Sequence, residues 1–257
     1  MAGPAGLTGE RVSTAAGGFN PTWQRHVAAY ALCADLLPPG RVLDLGCGMG
    51  HSYSRLAPRE TVGVDLAAHA LVGQERETHV ADMRMLPFPA ATFASVLAVQ
   101  SIEHVPDPER VLAEVTRVLG PDGRAVFVTP NRLTFGRRDE IIDPYHFVEY
   151  DAGELRALCG PWFGELELVG LFGSARYGAL VAAEHVQLDR LLARDPLRLR
   201  RRVPRRVLQV LYDRILARRR AVASPEAAAI GVEDFRLGGD PLDAALDLVA
   251  VGRRPRR

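Results

Sequence analysis

Lysine is missing from this 257-residue chain: all 32 of its Lys-plus-Arg positions are arginine. We read that as a coding bias of the genome rather than as chemistry. Cysteine is scarce, with only Cys33, Cys47 and Cys159. Three widely spaced thiols with no Cys-x-x-Cys exclude a disulfide framework and a zinc finger, and they suit a reducing, cytoplasmic setting. Cys47 reads as a small residue in a tight turn, not as a nucleophile. No apolar run approaches the roughly eighteen residues that a membrane-spanning helix needs. The first twenty residues have no basic start followed by an apolar core, so no secretory signal is expected there. They read as a flexible lead to a single domain over 21–257.

The chain is 47% hydrophobic, enough for a sizeable core. Its charge is uneven. Between His185 and Arg220 lie 12 Arg and 3 Asp, a local charge of +9 in 36 residues. The formal net charge is +1, so the other 221 residues together carry −8. The basic stretch has apolar positions at Val207, Leu208, Leu211, Ile215 and Leu216, the stripe of an amphipathic helix. A solvated basic face over a buried stripe is expected, with contact to an anionic membrane as the functional alternative. Nucleic acid is disfavoured, because only Tyr212 interleaves the arginines.

Strand and helix signals alternate from Arg41 onward. RVLDL (41–45), TVGVD (61–65), THVAD (78–82), FASVLAVQ (93–100) and RAVFVTP (124–130) are short apolar or β-branched runs. The stretch 108–123 has helical spacing at Val111, Leu112, Val115, Val118 and Leu119, stopped by Gly120 and Pro121. Asp151 is placed to cap a short helix. GELELVGLFG (164–173) and DAALDLVAVGRR (243–254) add two strands. Such alternation predicts an α/β fold with a mostly parallel sheet. Its core is expected over 38–173 and 241–254, with a helical Arg-rich insertion over 178–222.

The first strand runs into Gly46-x-Gly48-x-Gly50. In an open α/β sheet, ligands sit at the carboxyl ends of the strands, and glycines let the backbone turn sharply and approach them. The dinucleotide spacing G-x-G-x-x-G fails here, because position 51 is His. No Gly-Lys-Ser/Thr follows, so a P-loop is excluded. The second strand ends at Asp65, an acid able to accept both ribose hydroxyls. The third ends near Asp82, able to accept from an amino group such as that of adenine, with the polarizable Met83 and Met85 beside it. Adenosine features are present, while diphosphate features are poor.

These stretches resemble the class I S-adenosylmethionine-dependent methyltransferases. The small-molecule group that includes the ubiquinone-biosynthesis O-methyltransferases is the nearest likeness. The resemblance rests on VLDLGCGMG (42–50), VGVD (62–65), the run from Ala81 to Asn131, and DPYHFVEY (143–150). It implies a Rossmann-like, seven-stranded, mostly parallel sheet with an antiparallel last strand and helices on both faces. It also implies S-adenosylmethionine as co-substrate and methyl transfer to a small-molecule acceptor, at oxygen. By resemblance, Gly46, Cys47, Gly48 and Gly50 pass the methionine part of the cofactor, and Asp44 supports its amino end through the turn. Asp65 and Leu66 meet the ribose. Asp82 and Met83 read the adenine, and Gln100 faces the sulfonium. A helix at 20–37 covers the site, with Arg25, His26 or Tyr30 toward the cofactor carboxylate.

Two histidines fall where the family forms its acceptor pocket, His104 in SIEHVPD and His146 in DPYHFVEY. An imidazole suits removal of a proton from an oxygen acceptor. His146 is the preferred base because aromatic residues surround it in sequence. Asp139, Glu140, Asp143 and His146 are the nearest thing to metal ligands, and no metal is expected. Three alternatives stay open: an RNA or protein methyltransferase, although its N-P-P-Y signature is absent; a non-catalytic module that binds the cofactor; and an NAD-dependent oxidoreductase.

Overall fold

The computed structural model describes residues 21–137, 140–195, 198–220, 225–239 and 241–256. The expected lead over 1–20, Asp139 and the side chain of Leu216 lie outside the described residues. Eight strands form one sheet: β1 (Val42–Leu45), β2 (Thr61–Asp65), β3 (Glu77–Val80), β4 (Phe93–Val99), β5 (Leu119–Pro130), β6 (Phe163–Gly173), β7 (Phe235–Gly238) and β8 (Asp247–Pro255). Their spatial order is β3-β2-β1-β4-β5-β8-β6-β7. The first five pair in parallel. β8 lies antiparallel between β5 and β6.

The sheet thus has the expected antiparallel last strand and one strand more than the expected seven. The addition is β7, whose four residues FRLG pair with β6. A four-residue strand with an arginine in it is too short to show a period. Phe235 anchors it edge-on against the buried Tyr177 ring, centroids 4.7 Å apart.

Strand side chains alternate between two cores because the sheet is covered on both faces. Leu43, Leu45, Val96, Ala98 and Phe127 point to one face, covered by α2 (Pro108–Val118) and α3 (Ala152–Cys159). Val42, Leu97, Val99, Val126 and Val128 point to the other, covered by α1 (Pro21–Ala34). α2 begins with Pro108 and buries Val111, Leu112, Val115 and Val118, four of the five residues its spacing singled out; the fifth, Leu119, opens β5 instead. α3 starts with a reciprocal cap: Asp151 accepts from the Glu154 amide, and Glu154 accepts from that of Asp151. The crossovers flanking β2 carry single 3₁₀ turns, Tyr53–Leu56 and Ala68–Ala70, in place of α-helices. The three cysteines are buried thiols.

The basic insertion holds α4 (Ala175–Leu192) and α5 (Arg205–Arg220), followed by the short α6 (Pro225–Ala228). The apolar stripe expected to be buried on α5 is not. Val207 and Leu211 are each 48% exposed and Ile215 38%. α5 is held by a polar seam instead. Tyr212 donates to Asp143 at 2.8 Å, and Arg205 donates to the carbonyls of Pro144 and His146 at 2.6 and 2.8 Å. The Tyr145 hydroxyl reaches back to Asp213. The insertion therefore clamps the segment that carries His146. No helix among the described residues is long and apolar enough to cross a membrane.

Candidate active site

A cavity of about 310 Å³ opens at the carboxyl ends of β1, β2 and β4, where the strand order reverses. The loop after β1 floors it with Gly46, Cys47, Gly48 and Met49. All three glycines have positive φ, at 73°, 51° and 67°. A side chain at Gly46 would strike Ser101, and one at Gly50 would strike the Gln74 amide. Nothing lies within 4 Å of where a side chain on Gly48 would go, so that glycine leaves the cavity floor open. Of the three glycines, Gly46 and Gly48 line the cavity, and Gly50 packs outside it against Gln74.

The turn is fixed from below and from the side. Asp44 is fully buried beneath it and does not line the cavity. One carboxylate oxygen accepts from the Tyr30 hydroxyl at 2.7 Å, the other from the Arg76 guanidinium at 2.7 Å. Burial pushes this carboxyl up, and Arg76 and Tyr30 oppose that shift. Arg76 lies over the Tyr53 ring, 4.2 Å from its centroid, and donates to Gln74. Gln74 in turn donates to the Gly48 carbonyl at 2.9 Å. Sequence reading missed Gln74 and Arg76, which stand in a stretch with no periodicity, and no local signal there marks them.

Asp65, at the end of β2, is buried and lines the cavity. Its Oδ2 accepts from the Gly48 amide at 2.9 Å and its Oδ1 from the Ala67 amide at 2.8 Å. It joins the glycine turn to the second loop while still facing the cavity. Leu66 follows it, 69% exposed, and would offer a flat apolar surface to a ligand. Asp82 and Met83 form the third side. Asp82 is already engaged by Arg84, whose guanidinium grips both its oxygens and holds its carboxyl below the usual range.

Gln100 closes β4 with φ at 51°, unusual for a residue with a side chain. It lines the cavity, but its amide donates to Asp247 at 2.8 Å, so it is a wall held from behind. Asp247 is fully buried beside Arg25, 3.3 Å away. Burial pushes its carboxyl up to about 6 against the pull of Arg25 and Gln100. Of the three residues assigned to the cofactor carboxylate, His26 and Tyr30 line the cavity, while Arg25 is spent on Asp247. His51 also lines it, stacked near Trp23, and burial lowers its pKa to about 4, so it is neutral.

Of the two candidate bases, His104 lies on the cavity wall. His146 sits one layer behind, 7% exposed, its ring edge-on to His104 with centroids 5.0 Å apart. The Glu149 carboxylate accepts from the His146 Nδ1 at 2.9 Å. Burial disfavours charge on His146, but Glu149, Asp143 and Glu103 outweigh it and raise its pKa. Glu103, which sequence reading missed, is fully buried and accepts from Thr129 of β5. Burial pushes its carboxyl up to about 7. Of the described acids grouped with His146 as metal ligands, Glu140 is held by Arg200 and Arg201, and Asp143 accepts from Tyr212 with the same oxygen that lies 3.9 Å from the His146 Nε2.

The family described as methyltransferase domain matches residues 43–127, from β1 into β5. A probable S-adenosylmethionine-dependent methyltransferase of Mycolicibacterium smegmatis is 30% identical over 97% of this chain and 95% of its own length. One of Mycobacterium tuberculosis is 31% identical over 97% of this chain and 89% of its own length. Among solved structures, an S-adenosylmethionine-dependent methyltransferase of Thermotoga maritima shares the fold with a TM-score of 0.61, at 17% identity and 91% coverage of both chains.

The account of the glycine turn is open to a direct check. Arg76→Met leaves the buried Asp44 carboxylate with Tyr30 alone. Removing one partner of a buried pair costs about 3–5 kcal/mol. Urea unfolding should show a loss of that size, and a loss below about 1 kcal/mol would mean the ion pair is not what holds the turn.

Proposed function

The chain belongs to the S-adenosylmethionine-dependent methyltransferases, and from that premise we propose that it methylates an oxygen of a small-molecule acceptor. The observation that carries this reading is the placement of His104. It lines the same cavity as Gly46, Gly48 and Gln100. The acceptor class is supported by what lines the cavity. Arg84 is the one arginine there among the described residues, and Asp82 and Asp107 already hold it. Among the described residues, a polyanionic acceptor such as RNA would find no unpaired arginine in the wall.

The chemistry asks little of the protein beyond placement. S-adenosylmethionine carries its own leaving group. A lone pair of the acceptor oxygen attacks the methyl carbon, the carbon–sulfur bond breaks, and sulfur keeps the pair as a neutral thioether. The hydroxyl proton passes to His104. Asp65 and the backbone at Gly46 and Gly48 hold the donor so that sulfur, methyl and oxygen line up, and such alignment supplies much of the rate. His146 acts through His104. Its ring packs behind that of His104, and Glu149 fixes its orientation.

Two outcomes test this. In calorimetry, Asp65→Ala should weaken S-adenosylhomocysteine binding at least tenfold, about the loss of a hydrogen bond to a charged acceptor. Normal affinity in a folded variant would remove Asp65 from the ribose site. With an acceptor found by screening phenols and sugars against labelled donor, His104→Ala should lower kcat by about 10²–10⁴-fold and leave S-adenosylhomocysteine affinity nearly unchanged. A larger loss in His146→Ala than in His104→Ala would return the proton-accepting role to His146.

A further inference from the structure

We propose that Glu103, His104 and His146 form a binding site for one divalent transition-metal ion at the acceptor end of the cavity. Each offers one ligand atom, and these atoms all lie within 4.8 Å of one another. Small shifts would bring the three onto one ion at the usual ligand distances of about 2.0–2.2 Å.

The hydrogen bonds around the cluster select the ligand atoms. The Nδ1 of His104 faces the carbonyl oxygen of Tyr145 at 3.1 Å. A carbonyl can only accept, so Nδ1 carries the hydrogen and Nε2 holds the lone pair. The Nδ1 of His146 faces the Glu149 carboxylate at 2.9 Å, which orients its Nε2 in the same way. A ring nitrogen tied to a carbonyl or carboxylate, with the other nitrogen left to ligate, is the usual setting of a metal-bound histidine. Glu103 completes the set. Its Oε2 accepts from Thr129 at 3.1 Å. Its Oε1 is buried with no hydrogen-bond partner. A buried carboxylate oxygen left unpaired is costly, and a bound cation removes that cost.

The surrounding charge favours a cation. Glu103 and Glu149 are buried, and Asp143 lies 3.9 Å from the Nε2 of His146. The nearest guanidinium that acts on Glu103 is Arg25, which is paired with Asp247. Two imidazoles and one carboxylate suit Zn²⁺, Mn²⁺, Fe²⁺ or Co²⁺ better than the all-oxygen preference of Mg²⁺ or Ca²⁺. Three protein ligands leave coordination positions open, and His104 lines the cavity. The use of the ion, to bind the acceptor oxygen and favour loss of its proton to solvent, rests on the methyl-transfer reading and, with the ion bound, replaces proton transfer to His104, whose Nε2 is then a ligand. Binding of the ion does not rest on that reading.

The test uses the full chain, stripped with a chelator and dialysed against Zn²⁺, with no cofactor or acceptor present. We expect one zinc per chain, and at least a tenfold loss of zinc affinity in Glu103→Gln and in His146→Ala. A second measurement needs no variant. In histidine-selective NMR of the unmodified chain, the signals of His104 and His146 should move together, complete at one equivalent, while the other five of the seven histidines stay put. Absence of stoichiometric zinc would overturn the proposal, as would shifts at His26 and His51 instead, or wild-type affinity in a folded Glu103→Gln variant. S-adenosylhomocysteine affinity measured on the same sample separates the two claims. A chain that binds S-adenosylhomocysteine and no zinc would leave the methyltransferase reading standing and the metal site refuted.

Discussion

The buried carboxylate of Asp44 is the constraint on which the site depends. It stands in the middle of β1, in the dry interior of a parallel sheet, where an unpaired charge would be very costly. Tyr30 from α1 and Arg76 from the loop just before β3 each satisfy one of its oxygens. That requirement ties together a helix, the first strand and the loop before the third. Through Gln74 it also reaches the carbonyl of Gly48, so the glycine turn cannot move without disturbing a buried ion pair. The turn can then keep three left-handed residues in a row of five and still present a rigid floor to a ligand.

The cavity and the layer behind it are built differently. The wall formed by the loop after β1, Asp65 and Asp82 is backbone and short acids fixed at strand ends. Behind His104 packs the segment that carries His146, within 140–150, which does not itself line the cavity. The basic insertion holds it. Arg205 donates to two of its carbonyls and lies over the Phe147 ring, while Tyr212 and Asp213 take Asp143 and Tyr145. Arg200, Arg201 and Arg205 of the insertion thus have a structural use in holding that segment.

The fold was largely legible because its signals are local. The runs of β1, β2, β4 and β5, the stripe of α2 and the cap at Asp151 each follow from a few adjacent residues. The candidate cofactor residues were legible because they sit at fixed places relative to strand ends. Asp65, Gly46, Gly48, Met83 and Gln100 all reach the cavity wall. What was hidden depends on contacts between distant parts of the chain. Arg76 meets Asp44 across 32 positions, and Gln100 meets Asp247 across 147. β7 is too short to carry a period. The exposure of the α5 stripe followed from a polar seam whose partners lie some 60 to 70 positions away, such as Tyr212 with Asp143 at 69. His146 looked the better base in sequence because aromatic neighbours surround it, but the fold turns His104 to the cavity and places His146 behind it.

The central claim is that the loop after β1, latched by the Asp44 network, forms one cradle with Asp65 and Asp82 for an adenosyl ligand. A crystal structure of the complex with S-adenosylhomocysteine tests it most directly. The account predicts the homocysteine part along Gly46 and Gly48, both ribose hydroxyls on Asp65, the adenine beside Met83, and the sulfur turned toward His104. Density for the ligand elsewhere, or a ribose held by groups other than Asp65, would contradict it.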